Sequence, residues 1–431
     1  MSVAIVSIGT ELTRGELVNT NAAWLSDRLV ELGFEPAEHC SVPDNRRSII
    51  DALSRLAASF HVVLCTGGLG PTTDDITAAC AAELIGRPLV LHEPSVEIIR
   101  RKLERAGRTM GESNVKQAQI PEHAEVLPNS AGIAPGFMIP VGRARIIFMP
   151  GVPAEMRAIF EDHVVAIVRP LIEPKTAQRR LCTYGWPESV VGDKLAGIEA
   201  SMPGITIGYR AHVPEVEVKV HAQGRDLAHA QTLCERATLE VKARLLEVLY
   251  GDDDETYPAV VGRVLRTRGL QLAIAESCTG GLLGHLLTTE AGASEFLLAD
   301  VVCYANSAKT ILCGVDEDIL RAHGAASSEV AIAMAEGIRR RCGADISLGV
   351  TGVAGPTGGT DTKPIGTVFF AVSTTHGTTI DRQFFSGDRQ RIQRLASFHG
   401  LRLVRERIDP RMRSTASIPD VSLRRDAAAG D

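Results

Sequence analysis

Two hydroxyls and a thiol stand side by side in Ala275-Glu276-Ser277-Cys278-Thr279-Gly280-Gly281. The apolar run 270–275 reads as a buried strand, and Leu282-Leu283-Gly284-His285-Leu286-Leu287 reads as a helix. A strand-to-helix turn suits a nucleophile. Gly280 and Gly281 let backbone approach a bound group closely, and the amides from Thr279 to Gly281 can donate to developing negative charge. Such chemistry also needs a base. Val301-Val302-Cys303-Tyr304-Ala305-Asn306-Ser307-Ala308-Lys309 runs from a second strand into a second helix, with Lys309 in its first turns. Lysine takes up a proton only where burial or a nearby cation lowers its pKa, and Ser–Lys pairs are a variant of the serine triad. The local Ser-x-x-Lys spacing is absent, because Gly280 stands three residues after Ser277. Cys278 competes, since a thiolate is intrinsically the stronger nucleophile, with His285 the nearest imidazole along the chain. On residue types alone Ser277 and Cys278 are nearly even. A plainer reading makes Ser277 a helix cap and leaves Lys309 in solvent.

A second set of residues suits phosphate. Gly9-Thr10-Glu11-Leu12-Thr13-Arg14-Gly15-Glu16 continues to Asn19-Thr20-Asn21, and Thr66-Gly67-Gly68-Leu69-Gly70-Pro71-Thr72-Thr73-Asp74-Asp75 opens a helix. Glycines followed by a helix N-terminus cradle an anion, and the paired Asp74 and Asp75 could hold a hard divalent cation against it. The competing reading is a tight turn with capping aspartates. One such loop would not outweigh that reading, but two at one sheet edge do. Near the other end, Thr351 and Gly352 lead into a third glycine-rich loop, 352–359, again suited to phosphate.

The elements that must position these residues follow from hydropathy. Val3 to Ile8, 21–33, 35–41, 46–58 and 61–65 alternate strand and helix, which predicts a parallel, doubly wound sheet with ligands beyond its carboxyl edge. We divide the chain into residues 1–172, an α+β connector resembling a KH unit at 173–255, an α/β domain at 256–412, and a disordered tail at 413–431. The connector lacks the G-x-x-G clamp of nucleotide-binding KH modules, which makes it a spacer or dimer contact. The acidic run 252–255 is expected to cap a helix beginning near Tyr257. With 431 residues, 45% hydrophobic and 23% charged, the chain has an ordinary globular composition. A net charge of −6 argues against a general nucleic-acid surface. The nine cysteines lie mostly in apolar runs without paired spacing, which favours free thiols. No basic leader precedes the first strand and no apolar run is long enough to span a membrane, so a cytoplasmic protein is expected.

Ala275 to Gly281, the Tyr304/Asn306/Lys309 set and Gly349-Val350-Thr351-Gly352-Val353-Ala354-Gly355-Pro356 together resemble the nicotinamide-nucleotide amidase family, the C-terminal domain of competence/damage-inducible (CinA) proteins. The resemblance implies hydrolysis of the carboxamide of nicotinamide mononucleotide to nicotinate mononucleotide and ammonia, without a cofactor. It implies Ser277 as nucleophile, Lys309 as base, and Tyr304 relaying or orienting the proton. It further implies substrate contacts from Thr279, Gly280, Gly281, Asn306, Thr351 and Gly352, a pocket serine at Ser294, and Arg391 rather than its neighbours at the phosphate. Gly9 to Gly15, Gly67 to Asp75 and Met149-Pro150-Gly151-Val152-Pro153-Ala154-Glu155-Met156 are similar to the molybdopterin-binding (MoCF-like) domain at the N-terminus of CinA proteins. That likeness implies ADP-ribose pyrophosphatase activity with a divalent metal. Asp74 and Asp75 would be metal or catalytic residues, Glu11 a further candidate, and Gly67, Gly68, Gly70 and Thr72 the phosphate loop. The expected partners are the two nucleotides and a second copy in a homodimer, with neither membrane nor nucleic acid. The rival readings are a non-catalytic nucleotide-sensing or recombination-partner protein, and a pterin-binding protein of molybdenum-cofactor metabolism.

Overall fold

The computed structural model describes residues 2–34, 36–171, 175–253 and 255–409, so the expected tail and the break at Glu173-Pro174 lie outside the described residues. The chain forms two compact units, one from Met1–Gln178 with Gln223–Gln231, the other from Arg179–Ala222 and the chain from Thr232 onward.

In the first unit, β1 (Val3–Ile8), β2 (Pro36–Val42) and β3 (Val62–Thr66) are followed by a small ladder of β4 (Leu89–Leu91) with β5 (Gln119–Pro121), then β6 (Glu125–Leu127), β7 (Gly136–Val141) and β8 (Ala144–Met149). The main sheet has the order β2-β1-β3-β8-β7-β6. β1 and β3 are buried on both faces, as an all-apolar parallel strand must be. Val3 and Ile5 pack with Leu25 and Leu29 of the helix Thr20–Glu31, while Ala4 and Val6 pack with Ile49 and Leu53 of the helix Arg46–Ser59. Asn19 and Asn45 cap these helices through Ala22 N–H and Ser48 N–H. The wholly parallel sheet expected from the alternation is corrected at one edge. β7 and β8 pair antiparallel, because the short turn at Gly142, with φ 58°, can join only antiparallel neighbours.

In the second unit, β9 (Thr176–Tyr184), β10 (Ile205–His212), β11 (Glu215–Gln223) and β12 (Leu249–Asp252) form a sheet of order β10-β11-β9-β12. This KH-like part is not a spacer. Tyr184 stacks on Tyr257 at 4.9 Å and Tyr250 meets that ring edge-on at 5.0 Å, in one core with Phe398 and Leu401. The acidic run does not cap the next helix. Thr256 does so, through Ala259 N–H, while Asp252 belongs to β12, Asp253 bonds Arg179, and Glu255 pairs with Arg263; Asp254 lies outside the described residues.

The remaining sheet orders β14 (Leu297–Val302), β13 (Leu272–Glu276), β15 (Ile346–Gly352), β16 (Thr367–Thr374) and β17 (Gly377–Phe384), with β14, β13 and β15 parallel. Helices Asn306–Cys313 and Ser328–Cys342 cover one face, packing on Ala273 and Ala275. Helices Tyr257–Thr267, Leu282–Thr288 and Arg389–Ile408 cover the other, packing on Leu272 and Ile274. No helix among the described residues is long and apolar enough to cross a membrane. All nine cysteines are free thiols, most of them buried.

Candidate active site

Ser277 is the first residue beyond the carboxyl end of β13, tied to the neighbouring strand by its N–H to the Val350 carbonyl at 3.0 Å. Lys309 arrives on the helix Asn306–Cys313 and is 1% exposed. Its Nζ donates to Ser277 Oγ at 3.0 Å, to the Cys303 carbonyl at 2.9 Å and to the Tyr304 carbonyl at 3.0 Å. Among the described residues no carboxylate lies within ion-pair distance of this nitrogen, and burial pushes its pKa below the ordinary lysine value. The two residues the sequence set 32 positions apart are therefore in direct contact. Cys278 is placed differently. Burial pushes its thiol up to about 12, and His285 sits exposed on the following helix. A thiol in that state is not a thiolate near neutral pH.

The turn around Ser277 is held by a residue that the motif hides in plain view. Glu276, 0% exposed, accepts the N–H of Gly281 and of Gly284, both at 2.9 Å. A carboxylate at the end of a buried strand thus caps the helix that follows. Gly280 and Gly281 have φ of 70° and 96°, left-handed values that glycine adopts without strain. The Gly280 N–H bonds back to the Ser277 carbonyl at 3.2 Å. The expectation that Gly280 and Gly281 donate to an oxyanion is therefore corrected, since both amides are already spent. Thr279 differs: it is 2% exposed, and its hydroxyl is buried with no partner among the described residues, so it is a donor still to be satisfied. Behind Glu276 lies Asp300 of β14, whose carboxyl is raised to about 7 by burial and by Glu276.

Other expected residues divide. The Tyr304 phenol, 58% exposed, accepts from Arg389 Nη2 at 2.6 Å and has no bond to Ser277 or Lys309, so only its carbonyl touches the base. Arg389 Nη1 also donates to the Gly355 carbonyl at 2.6 Å, and Gln393, one turn on, donates to the Cys278 carbonyl at 2.9 Å. Arg391 faces elsewhere. Two residues on a helix are about 200° apart, and Arg391 lines a cavity with Trp186, Phe384 and Leu395. Gln393 reaches the Ser277 turn and Arg389 reaches Tyr304 and the Gly355 loop, whereas Arg391 bonds to none of these. Ser294 is also displaced. It is exposed and precedes β14, so it sits at the amino edge of the sheet, a strand's length of about 15 Å from Ser277. Asn306 is exposed at the start of its helix. The Thr351 hydroxyl donates to the Ala325 carbonyl at 2.7 Å, and Gly352 stays in the ladder of β15, where a Cβ would meet the Thr367 carbonyl at 2.5 Å.

In the first unit, the loops after β1, β3 and β8 gather at one sheet edge. Asn21 joins two of them, donating to Thr66 Oγ1 at 3.2 Å and to the Gly151 carbonyl at 2.7 Å. Gly67 and Gly68 have no room for a side chain: a Cβ would lie 2.1 Å from the Ile8 carbonyl and 2.0 Å from Thr77 Oγ1 respectively. Asp75 closes its own loop, accepting the Thr72 N–H at 2.8 Å and the Thr72 hydroxyl at 2.5 Å, next to Gly70. Asp74 and Glu11 are exposed, Glu11 folded over Gly9. Among the described residues no three His, Cys, Asp or Glu side chains come close enough to hold a metal ion by themselves. A hard cation here would rest on one carboxylate or two, with phosphate oxygens and water completing its shell, as magnesium is often held.

Comparison with known proteins finds three family matches along the chain. Residues 4–172 match the family described as a probable molybdopterin binding domain, 178–251 the damage-inducible protein CinA KH domain, and 254–408 the CinA C-terminal domain. A CinA-like protein of Anaeromyxobacter dehalogenans (strain 2CP-C) is 41% identical over 407 residues, 94% of this chain and 99% of the relative. One of Geobacter metallireducens is 40% identical over 413 residues, 95% and 99% of the two chains. Among solved structures, CinA of Thermoplasma acidophilum aligns at 32% identity over 38% of this chain and 97% of its own, with a TM-score of 0.36. By its three matched segments and its near full-length relatives, the chain belongs to the CinA family.

Proposed function

We propose that the second unit hydrolyses the carboxamide of nicotinamide mononucleotide to nicotinate mononucleotide and ammonia. The observation that carries this reading is the buried Lys309 amine 3.0 Å from Ser277 Oγ, with no carboxylate beside it among the described residues. A neutral amine keeps two hydrogens and one lone pair. The Cys303 and Tyr304 carbonyls take the two hydrogens, which aims the lone pair at the Ser277 hydroxyl. Lys309 then accepts the Ser277 proton as Oγ attacks the carboxamide carbon. The Thr279 hydroxyl, without a protein partner, donates to the oxyanion. Lys309 passes the proton to the leaving –NH2, which departs as ammonia; a water then gives a proton to the same amine as it attacks the acyl carbon, and Lys309 returns that proton to Ser277 Oγ as the acid leaves. Arg389 and Gln393 frame the turn from the far side. The test is ammonia release without added metal, in wild type and Ser277→Ala. Loss in the variant with nucleotide binding intact supports the reading, and full activity in the variant rejects it.

For the first unit we propose hydrolysis of the pyrophosphate of ADP-ribose, supported by three loops and the exposed Asp74 at one carboxyl sheet edge. A divalent cation bound with the diphosphate would neutralise its charge. Asp74 would hold that cation, Asp75 would keep the loop closed through Thr72, and Gly67 and Gly68 would let backbone approach the phosphates. Asp74→Ala should abolish magnesium-dependent turnover of ADP-ribose and leave ammonia release unchanged. If both activities fall together, the assignment of two separate sites fails.

A further inference from the structure

Three arginines open the helix Arg389–Ile408. Two are committed within the protein. Arg389 bonds the Tyr304 phenol and the Gly355 carbonyl. Arg394 donates to the Val213 carbonyl at 2.7 Å, lies 3.5 Å from Glu215, and covers the Phe398 ring at 5.1 Å. The guanidinium of Arg391 has no such acceptor among the described residues, and it lines a cavity of about 340 Å³. The walls come from both halves of the second unit: Trp186 after β9, Val213 and Pro214 between β10 and β11, and Phe384 and Phe385 at the end of β17. Phe384 is 48% and Val213 39% exposed, so two large apolar side chains face this space without cover. Lys194 Nζ lies over the Trp186 indole at 5.5 Å, adding a second positive charge nearby. The acidic groups of the lining are Glu215, which accepts from Tyr250 at 2.5 Å and faces Arg394, and Glu188, exposed in the first turn of its helix.

A concave space of this size with aromatic walls and one convergent cation is the form of a small-molecule site. Aromatic walls take a planar ring, and an arginine without a protein acceptor takes an anionic oxygen pair in a forked geometry. We propose that this cavity binds an aromatic phosphate of mononucleotide size, its ring against Trp186 and Phe384 and its phosphate on Arg391. The site is separate from the Ser277 turn and does not depend on the amide-hydrolysis reading. It abuts the first turns of the helix that carries Arg389 and Gln393 but is lined by neither side chain.

The test uses the full chain and the fluorescence of Trp186, with Trp24→Phe removing the other tryptophan. Adenosine 5′-monophosphate is the probe. A saturable change is expected, with affinity at least tenfold weaker for adenosine or inorganic phosphate, and at least tenfold weaker for adenosine monophosphate in Arg391→Gln. Phe384→Ala should weaken it comparably, and Arg389→Ala should leave it unchanged. Absence of a saturable change, or equal binding in Arg391→Gln and its parent, overturns the proposal. Loss in Arg389→Ala with retention in Arg391→Gln would place the nucleotide at the Ser277 turn and overturns it equally.

Discussion

Replacing Lys309 by methionine keeps the length of the side chain and removes the nitrogen. Three contacts disappear, to Ser277 Oγ, the Cys303 carbonyl and the Tyr304 carbonyl. Two buried carbonyls then lack a donor, which costs about 1–3 kcal/mol each. Against this, the penalty of burying an amine is returned. The net loss is small beside a folding free energy of about 5–15 kcal/mol, so the variant should remain folded. The effect on the proposed reaction is larger. A positioned general base contributes about 10²–10⁴-fold, or about 3–5 kcal/mol of barrier at 1.36 kcal/mol per tenfold. The assay is ammonia release from nicotinamide mononucleotide at saturating substrate, with melting temperature recorded on the same samples. In wild type, kcat/KM should rise with pH as the amine loses its proton, with a midpoint below that of an ordinary lysine, because burial lowers the Lys309 pKa. That limb should vanish in Lys309→Met. The double variant Ser277→Ala/Lys309→Met should be no slower than the worse single one, since the two groups act as a unit. A folded Lys309→Met enzyme within tenfold of wild type would refute the base assignment and the lone-pair geometry behind it.

Three further outcomes follow from the same geometry. Tyr304→Phe should cost less than tenfold in kcat, because the phenol touches Arg389 rather than Ser277 or Lys309; a loss matching that of Lys309→Met would mean that the phenol reaches the reacting atoms. Glu276→Ala leaves the amides of Gly281 and Gly284 without their acceptor, so it should lower stability by about 2–4 kcal/mol and activity with it, read by urea unfolding and ammonia release. Asp300→Asn should act with the opposite sign above neutrality. Burial and Glu276 raise the Asp300 pKa from 3.8 to about 7, so the native state holds a proton that the unfolded chain has released. Wild-type stability therefore falls as pH rises through that window. Asparagine cannot ionise, so the variant should lose this slope and exceed wild type at pH 8 by an amount on the order of 1–3 kcal/mol. An unchanged slope of the unfolding midpoint against pH would show that Asp300 does not titrate there.

What was legible in the chain follows from which features are local. β1, β3 and β13 announce themselves as mainly apolar runs because both of their faces are covered. The Ser277 turn is legible because its parts are contiguous. Arg389 was not, because three arginines in six residues differ only in helical phase, and phase has meaning only once the helix has docked on β15 and β16. Apolar neighbours hold part of that information. Ile392 and Ala396 are buried, which turns 391 and 395 toward one flank and 389 and 393 toward the other. Ser294 could have been placed from topology alone. It lies between the helix after β13 and the start of β14, and a parallel crossover must return the chain to the amino edge before the next strand begins, the edge away from Ser277. Glu276 is hard to read for the opposite reason, since a single charge closing an apolar strand has no local partner in sequence. A carboxylate with 0% exposure has to find donors, and the amides within its reach are those of the turn that its own strand enters. The same rule explains Lys309. A lysine surrounded in sequence by Ala305, Ala308, Ile311 and Leu312 reads as a surface residue on an amphipathic helix, yet the shortness of that helix and the two carbonyls just before it give the amine a buried destination. A charge drawn inward without an opposite charge to meet it is costly, so burial shifts Lys309 toward the uncharged amine, the form that accepts a proton.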